Sequence, residues 1–289
     1  MKTVMNLGPL MRKFTIKEAF QVAKDAGFDG VDLTLCDVFK NDTYWLEDDY
    51  LEKARALRAE ADAIGIRVLQ AHAPFNGTTE YAEELFEHTK RSIEIAAICG
   101  AECIVVHPIQ HLPYFDDPKN VEIVFDYNMD FYGKMVPIAR EYGIKLAIEN
   151  MWRTNRKRGV IDHSVCSRPE EFCHYVDELQ KRYGDTITAC LDIGHTVLVG
   201  VDPCEMIEKL GSRIGALHIH DNDYVKDLHL IPGHGQMNFE AVHAALKKAG
   251  YRGHYTLECT GYPFDEEMVR MYTEYLGKVA RHYADGLDR

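Results

Sequence analysis

The sequence predicts an α/β chain folded as a (β/α)8 TIM barrel, on three observations. Eight short β-branched runs alternate with longer amphipathic stretches, several of those stretches end in glycine just before the next run, and the length is 289 residues. Barrels of this kind take about 250 residues, so modest insertions fill the remainder. The strand candidates are residues 4–7, 30–35, 67–71, 103–106, 145–148, 188–191, 215–219 and 255–257. Between them lie helix-like segments such as IKEAFQVAKDAGF, YAEELFEHTKRSIEIAAICG and FEAVHAALKKAG. Gly27, Gly65, Gly100, Gly143 and Gly250 stand at helix C-termini, where a residue tolerating positive φ is wanted. Strands and helices in strict alternation imply a parallel sheet, and eight units close it. An open doubly wound sheet needs a phosphate-binding glycine pattern after an early strand, and the first run is followed only by Gly8-Pro9.

Composition narrows the function classes. Apolar residues make up 46% of the chain, enough for a large core, and no linker or low-complexity segment divides it, so residues 1–289 read as one domain. The formal charge of −13, from 33 basic and 46 acidic residues, favours solubility and disfavours nucleic acid or anionic membrane as partners. No apolar run approaches the roughly 18 residues of a membrane span. The N-terminal MKTVMNLGPLMRKF lacks the apolar stretch of a secretion signal, and the eight cysteines form no CxxC pair. Cysteines so scattered read as reduced, which places the expected compartment in the cytoplasm.

Chemistry in this architecture sits at the C-terminal ends of the strands. Those ends carry His72 in QAHAPF, His107 in VVHPI, Glu149 in AIENMW, Asp192 and His195 in LDIGH, His218 in LHIHDND and Glu258 in TLECT. A lone strand-end histidine is ordinarily a hydrogen-bonded core or loop residue. Six consecutive strands ending in His, Asp or Glu are different, because one barrel mouth gathers them and like charges that close require a cation. Oxygen-rich sites with one or two imidazoles suit Mn²⁺, Mg²⁺, Co²⁺ or Zn²⁺. Alternation turns Cys259 away from the mouth and points both His218 and His220 inward, and spacing alone leaves open which is the ligand. Asp221 stands ready to orient one of them. Further on, KDLHLIPGHG brings Asp227 and His229 onto a loop near the mouth. After the fifth strand, RTNRKRG supplies Arg153, Arg156, Lys157 and Arg158: a solvated face, or an anion site for a substrate phosphate or carboxylate through Arg153 and Arg156. The Tyr/Phe-rich PYFDDPKNVEIVFDYNMDFY reads as a surface loop, a lid or an oligomer contact.

HAPF, VVHP, IEN, LDIGH, HIHDND, DLHLIPGHG with NF following, and the terminal LECT together resemble the xylose-isomerase-like TIM barrels over essentially the whole chain. That superfamily includes sugar epimerases of the tagatose/psicose 3-epimerase type, inositol-catabolism isomerases and dehydratases, and endonuclease IV. The epimerase resemblance implies one divalent metal, Mn²⁺ foremost, held by Glu149, Asp192, His218 and Glu258, with His195 on the substrate. His218 is favoured over His220 because the family's ligand histidine is usually followed three residues on by an acid. The endonuclease IV resemblance implies three zinc ions on His72, His107, Glu149, Asp192, His195, His218, Asp227, His229 and Glu258, in an apurinic/apyrimidinic endonuclease. Against that branch, HIHDND lacks the nuclease's Asp-Ser-Lys continuation, and GHG replaces the common GEG.

The activity expected is therefore metal-dependent isomerisation or epimerisation of a sugar, sugar phosphate or cyclic polyol ketone. The metal would hold the carbonyl and a neighbouring hydroxyl and stabilise an enediolate, while Glu149 and Glu258 act as acid and base. Loss of a β-hydroxyl instead would make the chain an inosose-type dehydratase. In the epimerase reading His72, His107, Asp227 and His229 contact substrate or a further metal. The family commonly forms homodimers or homotetramers.

Overall fold

The computed structural model describes residues 1–36, 44–75, 82–110, 117–155, 157–260 and 265–288. Its strands are β1 (Thr3–Asn6), β2 (Gly30–Thr34), β3 (Arg67–His72), β4 (Cys103–Val106), β5 (Lys145–Glu149), β6 (Trp152–Asn155), β7 (Val160–His163), β8 (Ile187–Asp192), β9 (Ile214–His218) and β10 (Tyr255–Leu257). Eight of them pair in parallel in the order β10-β1-β2-β3-β4-β5-β8-β9. Ile219 closes the ring: its N–H donates to Thr256 O at 2.9 Å and its carbonyl accepts from Glu258 N–H at 3.0 Å. The TIM barrel expected from the alternation is thus the observed fold. Every one of the eight strand runs forms, because short β-branched segments buried on both faces suit a parallel sheet.

The helices are α1 (Gly8–Met11), α2 (Ile16–Asp25), α3 (Tyr50–Ile64), α4 (Ala82–Cys99), α5 (Pro118–Tyr142), α6 (Pro169–Tyr183), α7 (Ile193–Leu198), α8 (Pro203–Leu210), α9 (Phe239–Lys248) and α10 (Glu266–Asp288). Thr15 and Glu18 form a reciprocal capping box at the start of α2. The five glycines expected after helices all take φ between 69° and 98°. Among the described residues no helix is long and apolar enough to cross a membrane. All eight cysteines are free thiols.

The main core lies between the strands and the helix ring, built from residues such as Phe20, Leu33, Ile104, Tyr132, Phe172 and Leu217. Inside the barrel a small apolar plug of Cys103, Val105, Ala147, Cys190 and Ala216 fills the floor. Toward the strand C-termini polar side chains replace it: Asp32, Gln70, His72, His218 and Thr256 are all buried. A register shift between Val31 and Asp32 marks the point where β2 turns Asp32 into this layer.

Two segments differ from expectation. The basic stretch after β5 is not a plain loop: β6 and β7 pair antiparallel as a hairpin, with Trp152 opposite His163 and Asn155 opposite Val160. Much of the Tyr/Phe-rich segment forms the first turns of α5, burying Val124, Met129, Phe131 and Tyr132. Apolar residues at helical spacing explain that burial.

Candidate metal centre

The strand ends converge as the alternation requires. Glu149 closes β5, Asp192 closes β8, His218 closes β9, and Glu258 follows β10. One donor atom from each lies within 4.8 Å of the others. The His218 Nδ1 sits 3.1 Å from Glu149 Oε1, 3.1 Å from Glu258 Oε2 and 3.9 Å from Asp192 Oδ2. Ligands bound at about 2.0–2.2 Å to one ion lie roughly 3 Å apart when they subtend a right angle, so these spacings fit a shared cation.

Electrostatics points the same way. Burial alone would raise the Glu149 carboxyl, but the imidazoles of His218 and His107 outweigh it and hold it well below the usual carboxylate range. Burial works against a charged His218, yet the facing Cys190 thiol and the carboxylates of Glu258 and Glu149 raise it well above a free histidine. Asp192 is lowered by His195 and His220 against the same burial penalty. The neighbouring imidazoles thus favour the ionised form of these buried carboxylates, and a divalent ion in the same place would favour it too.

Three further donor groups adjoin this one, the first of them Asp32, His72 and His218. His72 and His107 meet at Glu149, with His107 Nε2 at 3.0 Å from Glu149 Oε2. On the other side His195, His220, Asp227 and His229 gather, the Asp227 Oδ2 accepting from Trp152 Nε1 and from His229 Nε2, each at 3.1 Å. His229 holds a positive φ of 47°, a strained backbone for a residue with a side chain. All nine strand-end and loop residues singled out from the sequence therefore reach one mouth.

Several residues that organise the site carry no motif signal. Asp32 Oδ2 lies 2.8 Å from His72 Nδ1, and Gln70 bridges Asp32 and His218 at 3.0 and 2.9 Å. Asn150 explains the IEN motif: its amide donates to Asp192 O at 2.9 Å and accepts from Asp192 N–H at 2.8 Å, locking the β5 and β8 ends together. The Asn150 carbonyl lies 2.8 Å from His195 Nδ1. The expectation that Asp221 orients a histidine is overturned. Its carboxylate instead accepts from the N–H groups of Asn222, Gly233, Gly235 and Met237, pinning the PGHG loop. Four aligned donors satisfy a buried carboxylate better than one imidazole. Cys259 packs in the core away from the mouth, as alternation requires.

Above the carboxylates opens a cavity of about 440 Å³. Its floor includes Glu149, Glu258, Asp227, His107, His195 and His229, and its wall includes Phe75, Trp152, Met151 and Val165. Arg153 is the single permanently charged cation among the described lining residues. Its Nε donates to His163 O at 2.9 Å, while its buried Nη2 meets no hydrogen-bond partner among the described residues and lies 3.8 Å from Asp162 Oδ2. Arg156, the other expected anion contact, lies outside the described residues. Lys157 and Arg158 are exposed at the hairpin tip.

A barrel with this mouth falls in a well-populated class, and the comparisons place it there. Residues 20–278 match the family model described as xylose isomerase-like TIM barrel, and the chain belongs to that family. A relative in Methanocaldococcus jannaschii, itself uncharacterized, is 33% identical over 196 residues, covering 65% of this chain and 62% of its own length. Among solved structures, a D-tagatose 3-epimerase-like protein superposes with TM-score 0.73 at 23% identity, covering 100% of this chain and 98% of its own. A 3-keto-D-glucoside 4-epimerase from E. coli gives 0.72 at 17% identity, covering 96% and 99%. A zinc-bound IolI protein gives 0.71 at 19%, covering 99% and 98%. The structural neighbours thus include sugar epimerases, and at these identities the likeness is one of fold.

Proposed function

We propose that the chain is a divalent-metal isomerase or epimerase acting on a small hydroxy-ketone: a sugar, a sugar phosphate or a cyclic polyol ketone. The observation that carries this reading is the group of three carboxylates and one imidazole, all but Glu258 fully buried, gathered at the base of a cavity of substrate size. Glu149, Asp192, His218 and Glu258 would hold the ion. When bound, it supplies the positive charge that fixes the carbonyl and a neighbouring hydroxyl and acidifies the C–H bond between them.

The remaining work falls to the chain. Of Glu149 and Glu258, one takes the proton from carbon and the other returns one to the opposite face, inverting that centre. A single carboxylate serving both steps gives aldose–ketose isomerisation. Asn6, whose amide donates to Glu258 Oε1 at 3.4 Å, helps fix that carboxylate. His195, His229 and Asp227 line the cavity and offer hydroxyl contacts, while Phe75 and Trp152 cover apolar faces and exclude water. Arg153 is the group placed for an anionic substituent at the far end of the substrate.

The test is a panel of ketoses, ketose phosphates and inosose-like ketones with the Mn²⁺-loaded protein. Conversion of at least one to its epimer or isomer supports the reading, and loss of water from an inosose would redirect it to dehydration. One observation favours a second reading: the donor groups at the mouth include all nine residues expected as ligands of an endonuclease IV-like enzyme with three zinc ions. Incision of an oligonucleotide carrying an abasic site, with three zinc ions per chain, would select it. A net charge of −13 weighs against a DNA substrate.

A further inference from the structure

The second histidine of HIHDND has no task in the chemistry above, and its surroundings supply one. His220 is fully buried. Its Nε2 lies 3.0 and 3.1 Å from the two oxygens of Asp192, and its Nδ1 meets no hydrogen-bond partner among the described residues. With the acceptors on one side only, the ring proton belongs on Nε2, shared between both carboxylate oxygens.

The ring is held in place from two directions. It stacks on His229, with centroids 3.9 Å apart and planes 13° from parallel. It also lies against Gly194, where an added methyl would collide with the imidazole. Gly194 has no positive φ to explain it, so close approach of the ring is the physical reason for glycine in LDIGH.

Asp192 itself is doubly committed. Its Oδ1 caps α7 by accepting from His195 N–H at 2.8 Å, and the same oxygen receives His220. Oδ2 is the oxygen turned toward the His218 Nδ1, 3.9 Å away, and the His220 Nε2 lies 3.1 Å from it as well. We propose that His220 is a positioning residue for Asp192: it holds the carboxylate with Oδ2 turned to the cation, and Gly194 is there to admit its ring. This division of labour gives the two histidines of HIH different tasks, His218 facing the ion and His220 standing behind a ligand. It rests on the metal-centre reading above. Partners in such second positions typically contribute about 10–100-fold in metal affinity.

Mn²⁺ titration of the full chain after chelation, following the EPR signal of free Mn²⁺, tests it. The His220→Ala variant should bind the wild-type number of ions, with affinity reduced about 10–100-fold and circular dichroism unchanged. His220→Gln, whose amide nitrogen reaches the Nε2 position and can donate to Asp192, should recover most of that loss. Gly194→Ala should weaken binding by displacing the ring. The double variant G194A/H220A should bind no more weakly than His220→Ala alone, since no ring is left to displace. Wild-type affinity in His220→Ala would overturn the inference, as would losses that simply add in the double variant. Loss of a whole equivalent of metal would make His220 a ligand and overturn it too. A wild-type chain that binds no Mn²⁺ would sink the metal reading itself, which distinguishes the two failures.

Discussion

Glu171 in α6 offers a prediction that the structure puts a size on. It follows the Ser164–Val165 wall of the cavity, and both its carboxylate oxygens are buried without a hydrogen bond of ordinary geometry among the described residues. Burial pushes its pKa up to about 8, offset only in part by the nearby backbone of Cys166 and Arg168. An unfolded glutamate titrates near 4.5. The folded state therefore binds the proton more tightly, and its contribution is complete below pH 4.5 and lost as pH rises toward 8. At about 1.4 kcal/mol per unit, the loss reaches roughly 3 kcal/mol by pH 7, an upper figure because some solvent still reaches the group. Glu171→Gln keeps the shape and stays neutral. Urea unfolding at pH 4.5, 6 and 8 should show the variant equal to wild type at the lowest pH and more stable by about 2–3 kcal/mol at pH 8. A difference that does not change with pH, or a variant less stable at pH 8, would refute the reasoning.

Other outcomes follow from the site. Glu149→Gln and Glu258→Gln should each lower turnover by at least about 10²–10⁴-fold with the fold retained, checked by steady-state kinetics and circular dichroism. Near-normal activity in both would remove the two-carboxylate mechanism. Arg153→Met should raise KM for a ketose phosphate at least about tenfold while leaving a neutral ketose unchanged, since a lost charge-assisted hydrogen bond is worth about 1.5–3 kcal/mol; equal effects on both would take Arg153 out of recognition. Chelation should lower the melting temperature, and Mn²⁺ at a hundred times its Kd should restore about 2.7 kcal/mol. A melting temperature indifferent to chelator and metal would argue against a buried cation.

The barrel was legible because its signals are local. β-branched runs, amphipathic helices and glycines after helices each declare themselves within a few residues, and all eight strands formed where they were expected. The β6–β7 hairpin escaped because its four-residue strands are charged and half-exposed, with no alternation to read. The strand-end acids and histidines stood out because one barrel topology dictates where strand ends go. What supports them did not, since it depends on contacts across the chain: Asn150 grips Asp192 from 42 residues away, and Gln70 meets His218 across 148. Asp221 was misassigned for the converse reason. It neighbours the histidines in sequence, but three of its four partners are N–H groups 12 to 16 residues further on.

The central claim is proton transfer at a carbon beside a carbonyl, run from the Glu149, Asp192, His218 and Glu258 group. Its most direct test is incubation of the Mn²⁺-loaded protein with the ketone panel in D₂O, followed by mass spectrometry and NMR of the recovered sugars. The account predicts one non-exchangeable deuterium at the carbon next to the carbonyl of at least one ketone, absent when Glu149→Gln or Glu258→Gln replaces the wild type. No deuterium uptake from any ketone by a fully metal-loaded protein would contradict it.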